Sequence, residues 1–376
     1  MPQPCVFCGQ QPVKKNREHV MPEWLLKMTG DPKRTLKMPF QASLRPGLSD
    51  EMSYDALKFP ACEKCNRNFS VLEGQARTIV AKMLNSDGLS ADELSVFLDW
   101  LDKVRTGLWL GGLYLIGNPT GIRPNFHIRS RTGAKDRMVV IFRSSEGPRG
   151  LSFFGTVLPL FWYHPVCFSL SINHIFFLNV STDFLFARRL GFPYPKNESM
   201  TAEGWVSAEL TPGLERSILP LLNFNYGSDG TEIFQPMYHH RLMREKGESI
   251  EQLYQSEYVR NLSLSQGQGI GKPLLQEGKT LRPYPGNCTD EWLPKKKFNF
   301  EELLRVIPIT TLRLQADLID HATATKEQRK TYRRLRNVDL QQIEIYKNAE
   351  IIPYSEAISE SPSRMIRYQA RKLMTP

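Results

Sequence analysis

The chain has 376 residues, 41% of them hydrophobic and 10% aromatic, enough to bury a substantial core, which excludes a largely disordered protein. Lys and Arg number 49 against 39 Asp and Glu, a formal net charge of +10; the surface therefore attracts polyanions, nucleic acid first among them, although a basic surface also serves solubility alone. Six cysteines in a chain of this size, four of them in two CxxC pairs, do not make a secreted disulfide framework and point instead to a metal site in a reducing compartment.

The N-terminal stretch "MPQPCVFCGQQPVKKN" has no apolar targeting core. The most apolar stretch, "LSFFGTVLPLFWYHPVCFSLSINHIFFLNV", is interrupted by Pro, His and Asn before it reaches the length that crosses a bilayer. These features predict a cytoplasmic protein with no membrane partner.

Residues 1–85 are polar, short in periodicity and punctuated by prolines, with turn-like "MTGDPKRT" and "LRPGLSDEMS" between the cysteine pairs. A helix is predicted around "PEWLLKM". From "FSVLEGQARTIVAKML" the spacing of Val71, Leu72, Ile79, Val80 and Leu84 is helical, and a second helix opens at Ser90, with Glu93 three residues on as a capping box. Residues 86–118 thus form a helical connector. Residues 119–245 contain short β-branched and aromatic runs, "NFHIRSR", "RMVVIFR", "LSFFGTV", "CFSLSI" and "HIFFLNV", which predict a mostly antiparallel sheet serving as a substrate or sensor domain. Residues 246–376 bring "SIEQLYQSEYVRNLSL", a Gly/Pro-rich segment, and a helical basic tail. The predicted class is α+β: a small zinc-bound domain, then a larger mixed domain with C-terminal helices.

Cys5 with Cys8 and Cys62 with Cys65 supply the four thiolates that tetrahedral Zn2+ prefers. A structural zinc would fold a domain too small to rely on its own core. Between the pairs stands "REHVMP", and Asn66 follows the second pair directly.

CxxC, EHxxP and CxxCN in this order resemble the HNH, or ββα-metal, endonucleases, and most closely their zinc-containing, endonuclease VII-like branch. "EHVMPEWL" and "CNRNFSVLE" are also similar to the opening and ending of a bacterial HNH subgroup. The resemblance covers residues 1–85 and implies a metal-dependent endonuclease cutting DNA to 5′-phosphate and 3′-hydroxyl ends. It implies His19 as general base, and Glu18 and Asn66 as ligands of a catalytic Mg2+ or Mn2+.

The residue types suit those tasks on physical grounds. An imidazole titrates near working pH and takes a proton from water. Carboxylate and amide oxygens are hard ligands for a hard cation. Against this stand plainer readings: His19 packing the zinc domain, Glu18 pairing with Arg17 or a nearby Lys, and Asn66 capping the helix after Cys65. Glu73 lies two turns beyond Asn66 on the same face and supports the metal site or binds a nearby Arg. The Asn that usually braces the histidine loop on the second strand is missing, with Asp55 the available substitute.

His164 and His174 read as structural histidines, and the pair His239–His240 has no partner motif. Cys167 and Cys288 read as ordinary reduced thiols. Lys295–Lys297, Arg329–Arg336 and Arg364–Lys372 are either a track for a phosphate backbone or the solvated faces of amphipathic helices. The C-terminal region is the place for a homodimer contact or a regulatory partner. By analogy of architecture, an HNH head on a large further region suggests bacterial defence against phage or mobile DNA. The competing expectation is a non-catalytic, zinc-stabilised nucleic-acid-binding or scaffold protein. A redox enzyme using one metal-free CxxC is a third.

Overall fold

The computed structural model describes residues 4–12, 16–37, 51–54, 58–116, 128, 137–145, 150–156, 159–181, 194–200, 206–211, 230–235, 273–277, 280–319 and 326–348. In chain order its elements are β1 (Asn16–His19), α1 (Glu23–Met28), β2 (Thr35–Lys37), β3 (Glu51–Ser53), β4 (Lys58–Ala61), α2 (Glu63–Asn85) and α3 (Ala91–Ile116). Then come β5 (Arg137–Arg143), β6 (Leu151–Phe154), α4 (Pro159–Tyr163), β7 (Cys167–Ile172), β8 (Ile175–Ser181), β9 (Tyr194–Met200) and β10 (Val206–Thr211). The last are β11 (Thr231–Gln235), β12 (Leu274–Glu277), β13 (Thr280–Pro283), α5 (Phe300–Ile319) and α6 (Lys326–Asn348). The architecture is mixed α+β with an antiparallel sheet and C-terminal helices.

β1 and β4 pair antiparallel, with Glu18 opposite Phe59 and His19 opposite Lys58. Their long connection carries α1 and the antiparallel β2–β3 pair. Immediately after β4, Cys62 caps α2 by accepting the backbone N–H of Cys65, so the second cysteine pair starts the helix. α2 buries Cys65, Phe69, Glu73, Ala76, Ile79, Val80 and Met83, a stripe at helical spacing. It ends at Ser86, whose left-handed backbone (φ 64°) turns its N–H back to the Lys82 and Met83 carbonyls.

α3 opens with the capping box its sequence predicts: Glu93 N–H donates to Ser90 Oγ (3.2 Å) and Ser90 N–H to Glu93 Oε2 (2.9 Å). From Trp100 to Leu113 every residue of α3 is buried, the signature of a helix enclosed on all sides. The β1–β4 pair sits against one side, where Gly107 and Gly111 permit close approach: a Cβ there would lie 3.1 Å from Phe59 Cε1 and 3.2 Å from Val20 Cγ2.

On another side lies the main sheet, in strand order β13-β12-β11-β5-β8-β7-β6 with every pairing antiparallel. Alternation assigns its faces. Val139, Ile141, Leu170, Phe177 and Ile233 join a core shared with α3 and the cysteine-bearing module. Met138, Val140, Phe142, Phe176, Leu178 and Phe234 face Leu303, Ile307, Leu314 and Leu318 of α5. α6 packs on α5 through Ile343, and Tyr346 meets Phe154 of β6 edge-on at 5.7 Å.

The sheet differs from expectation at one edge. β12 and β13, within the segment read as helical and Gly/Pro-rich, add two strands beyond β11. They are only four residues each, too short to show a period, and their pairing is set by a partner distant in sequence. The run "NFHIRSR" lies outside the described residues except for buried Ile128. So do His239, His240, Asp55, "SIEQLYQSEYVRNLSL" and Arg364–Lys372.

Candidate metal centre

The first cysteine pair folds as a tight knuckle: Cys5 N–H donates to Gln10 O and Gly9 N–H to Cys5 O, both at 2.8 Å, with Gly9 at φ 76°. The knuckle is stitched to β4 by Val6 N–H donating to Pro60 O at 3.0 Å. Cys62 N–H donates to Cys5 Sγ at 3.2 Å and Cys65 N–H to Cys62 Sγ at 3.4 Å. All four sulfurs lie within 4.8 Å of one another, Cys8 and Cys62 at 3.9 Å. A tetrahedron with Zn–S near 2.3 Å requires sulfur separations of about 3.8 Å, so the donor set fits zinc in type, number and spacing.

Electrostatics favours a cation at this point. The Cys65 thiol hydrogen-bonds to Cys5 and, with backbone N–H groups of Cys62, Cys8 and Phe7, holds Cys5 down to about 4 despite burial. The same shared proton, together with burial, pushes Cys65 far up. Burial raises Cys8 as well. One thiolate crowded by thiols that resist ionising is the charge state a divalent metal would resolve, since coordination deprotonates all four.

Glu18 and His19 end β1, and Asn66 stands in the first turn of α2; all three are half-buried. β1 pairs with β4, and β4 runs through Cys62 into α2, so these residue types stand on elements of one small cysteine-bearing module. Asn66 N–H donates to Cys62 O at 2.9 Å, so it continues the capped helix rather than capping it. Among the described residues the four cysteines are the group of three or more His, Cys, Asp or Glu side chains that converges for a metal.

Glu18 meets a cation of the protein's own. Lys103 Nζ of α3, with no solvent exposure, lies 3.4 Å from Glu18 Oε1. Burial raises the Glu18 carboxyl above its usual range; the Lys103 charge opposes that shift and Glu73 adds to it. Lys103 also bonds closely to Glu73 Oε1, and stands 6.0 Å from the ring centroid of Phe7 inside the first knuckle. The second Glu73 oxygen accepts indole N–H bonds from Trp24 (2.8 Å) and Trp100 (3.2 Å). Glu73 therefore binds Lys and two tryptophans, not an Arg.

Lys103, Trp24 and Trp100 escaped the sequence reading. The available signal was "FLDWLDKVRTGLWL", where charges fall among tryptophans and leucines on every side of one helix; buried charges require partners.

His164 closes α4, its N–H donating to Leu160 O, and His174 sits in the β7–β8 turn, its carbonyl accepting from Ser144 N–H. Cys167 is buried and Cys288 exposed, both as free thiols. Lys295, Lys296 and Lys297 are exposed, as are Arg329, Lys330, Arg333 and Arg334 on α6. No helix among the described residues is long and apolar enough to cross a membrane. No family model, no curated protein and no solved structure matches the chain.

Proposed function

We propose that the chain is a metal-dependent endonuclease of the HNH type that hydrolyses DNA phosphodiester bonds, its zinc serving structure and its chemistry carried by His19, Glu18 and Asn66. The observation that carries this reading is one juxtaposition. A strand ending in Glu18–His19 pairs with β4, and β4 leads through Cys62 into the helix whose first turn carries Asn66, all in the module that bears the four-cysteine cluster and in the strand–strand–helix order the resemblance implies.

In the proposed reaction His19 takes a proton from water as the water oxygen attacks phosphorus. The bond from phosphorus to the 3′ oxygen breaks and the departing oxygen takes a proton from solvent water, leaving a 5′-phosphate and a 3′-hydroxyl. Glu18 and Asn66 would hold a Mg2+ or Mn2+, which would supply stabilisation of the charge on the phosphate and the departing oxygen. The net charge of +10 and the cations of α6 give a DNA backbone something to lie against. The C-terminal region in this reading selects the substrate or responds to a signal, partner or second copy, and the biological setting is bacterial defence in the cytoplasm.

The second reading, a non-catalytic zinc module that binds nucleic acid or scaffolds a partner, is favoured by Lys103, whose charge already answers Glu18. Nicking of supercoiled plasmid by zinc-loaded protein with Mg2+ or Mn2+ separates the two. The nuclease reading expects cleavage by the wild type and none by folded His19→Ala. Equal cleavage by both removes His19 from the role of base, and retained biological activity in His19→Ala selects the second reading.

A further inference from the structure

We infer that Lys103 is a positioning residue of the proposed nuclease centre, its buried ammonium bridging Glu18 and Glu73 so that the Glu18 carboxylate is held in place for the divalent cation. The inference rests on the function proposed above and extends it to a residue outside every motif of the zinc module.

Lys103 stands on α3, yet its ammonium reaches two carboxylates of the preceding module, Glu18 on β1 and Glu73 on α2. It comes from the interior: Lys103 has no exposure, whereas the Glu18 side chain keeps 18% of its surface in contact with solvent. A carboxylate offers about four lone-pair directions, so one contact from the buried side leaves others for an ion arriving from solvent.

Glu73 supplies the fixed end of the bridge. Two indoles and the ammonium occupy its oxygens, and these donors come from α1 and α3. Trp24 lies five residues after His19, so the same carboxylate anchors the chain leaving the histidine. Without Lys103, Glu18 would lose the 3.4 Å contact that holds it from the buried side and, as the more exposed of the two carboxylates, turn toward water, with the like charge of Glu73 adding repulsion wherever that residue is kept. Lys103 thus does for the carboxylate what the absent strand asparagine of the resembling family does for the histidine loop.

The test uses full-length, zinc-loaded protein and Mn2+ as the probe, with the dissociation constant read from the electron paramagnetic resonance of free Mn2+ and nicking followed against Mn2+ concentration. Lys103→Met alone strands Glu73 and is expected to unfold. The decisive variant is therefore Lys103→Met/Glu73→Gln, which removes both charges while the introduced amide oxygen still accepts the indoles. Expected is wild-type zinc content and melting, with Mn2+ bound at least about tenfold more weakly and nicking restored in part by excess Mn2+.

Wild-type Mn2+ affinity in that folded variant overturns the inference. If it does not fold, Lys103→Arg decides, since it keeps the charge but moves the donor: Mn2+ affinity weakened at least about threefold at unchanged melting supports positioning, and unchanged affinity refutes it. If wild type and Glu18→Gln bind Mn2+ equally, the nuclease reading has itself failed and the inference falls with it.

Discussion

Arg137 of β5 and Asp102 of α3, neither exposed to solvent, meet at 3.2 Å, and between them they tie the enclosed helix to the centre of the main sheet. Arg137 also bonds Asp99 at 2.5 Å and Gln235, directly opposite on β11, at 2.8 Å. The other Asp102 oxygen binds Arg105 at 2.8 Å, and Arg105 reaches Asn179 of β8 at 2.9 Å. Asp102→Ala leaves two buried guanidiniums short of an anion and is expected to cost about 3–5 kcal/mol. Urea denaturation measures this. Lys27→Gln, which breaks an exposed pair with Glu23, should leave the midpoint unchanged.

Two helical glycines should respond in opposite directions to alanine. A Cβ at Gly112 of α3 would overlap the Trp162 ring at Cη2, whereas one at Gly74 of α2 meets nothing within 4 Å. Gly112→Ala must displace a buried indole and is expected to cost about 1–3 kcal/mol. Gly74→Ala should stabilise by about 0.5–1 kcal/mol through helix propensity. Thermal melting of both variants checks the signs, and a destabilised Gly74→Ala would contradict the open space around it.

Asp339 of α6 has no exposure, and neither carboxylate oxygen has a hydrogen-bond partner among the described residues. Burial pushes its carboxyl from 3.8 up to about 7. The folded chain therefore holds a proton that the unfolded chain releases between those values, so this group's contribution to stability falls as pH rises from about 4 to about 7. Asp339→Asn should be more stable than wild type at pH 8, by up to about 4 kcal/mol, with the advantage vanishing near pH 4. Urea midpoints across that range report it; a pH-independent difference would show that Asp339 is not the titrating group.

Zinc should be present at one ion per chain. Cys8 and Cys62 stand 54 positions apart yet touch, so the metal would close a long loop as well as neutralise crowded sulfurs. Structural zinc in finger peptides is worth roughly 10–16 kcal/mol at neutral pH, enough to decide whether this module folds. A strong chelator, or Cys62→Ser, is expected to abolish cooperative melting of the module. Metal-free protein with unchanged melting would rule out a structural zinc.

The cysteine quartet was legible because CxxC spacing is local and its chemistry demands convergence; only the four-sulfur geometry had to come from the fold. The Ser90–Glu93 cap and strands β5 to β8 were legible through local patterns too. The partners of Glu18 and Glu73 were not. Lys103 lies 85 residues from Glu18, and nothing in a short window marks a lysine as buried. The outer hairpin β12–β13 was hidden for a related reason, since its identity as sheet depends on β11. His19, Glu18 and Asn66 were singled out by resemblance, and their positions on β1 and α2 bear on placement, not on catalysis.

α3 is a wall common to two rooms. Its glycines admit the β1–β4 pair, its lysine completes a charge cluster there, and its Asp102 and Arg105 bind the sheet. The cysteine-bearing module and the inner face of the sheet consequently share one continuous apolar core. A fragment stopping at residue 85 would bare Val20 and Phe59 and leave Glu73 without its ammonium. The smallest portable unit must therefore include α3, and α3 in turn carries the surface that fits this sheet. Swapping heads between such chains would succeed only where the receiving sheet reproduces Arg137, Asn179 and Gln235.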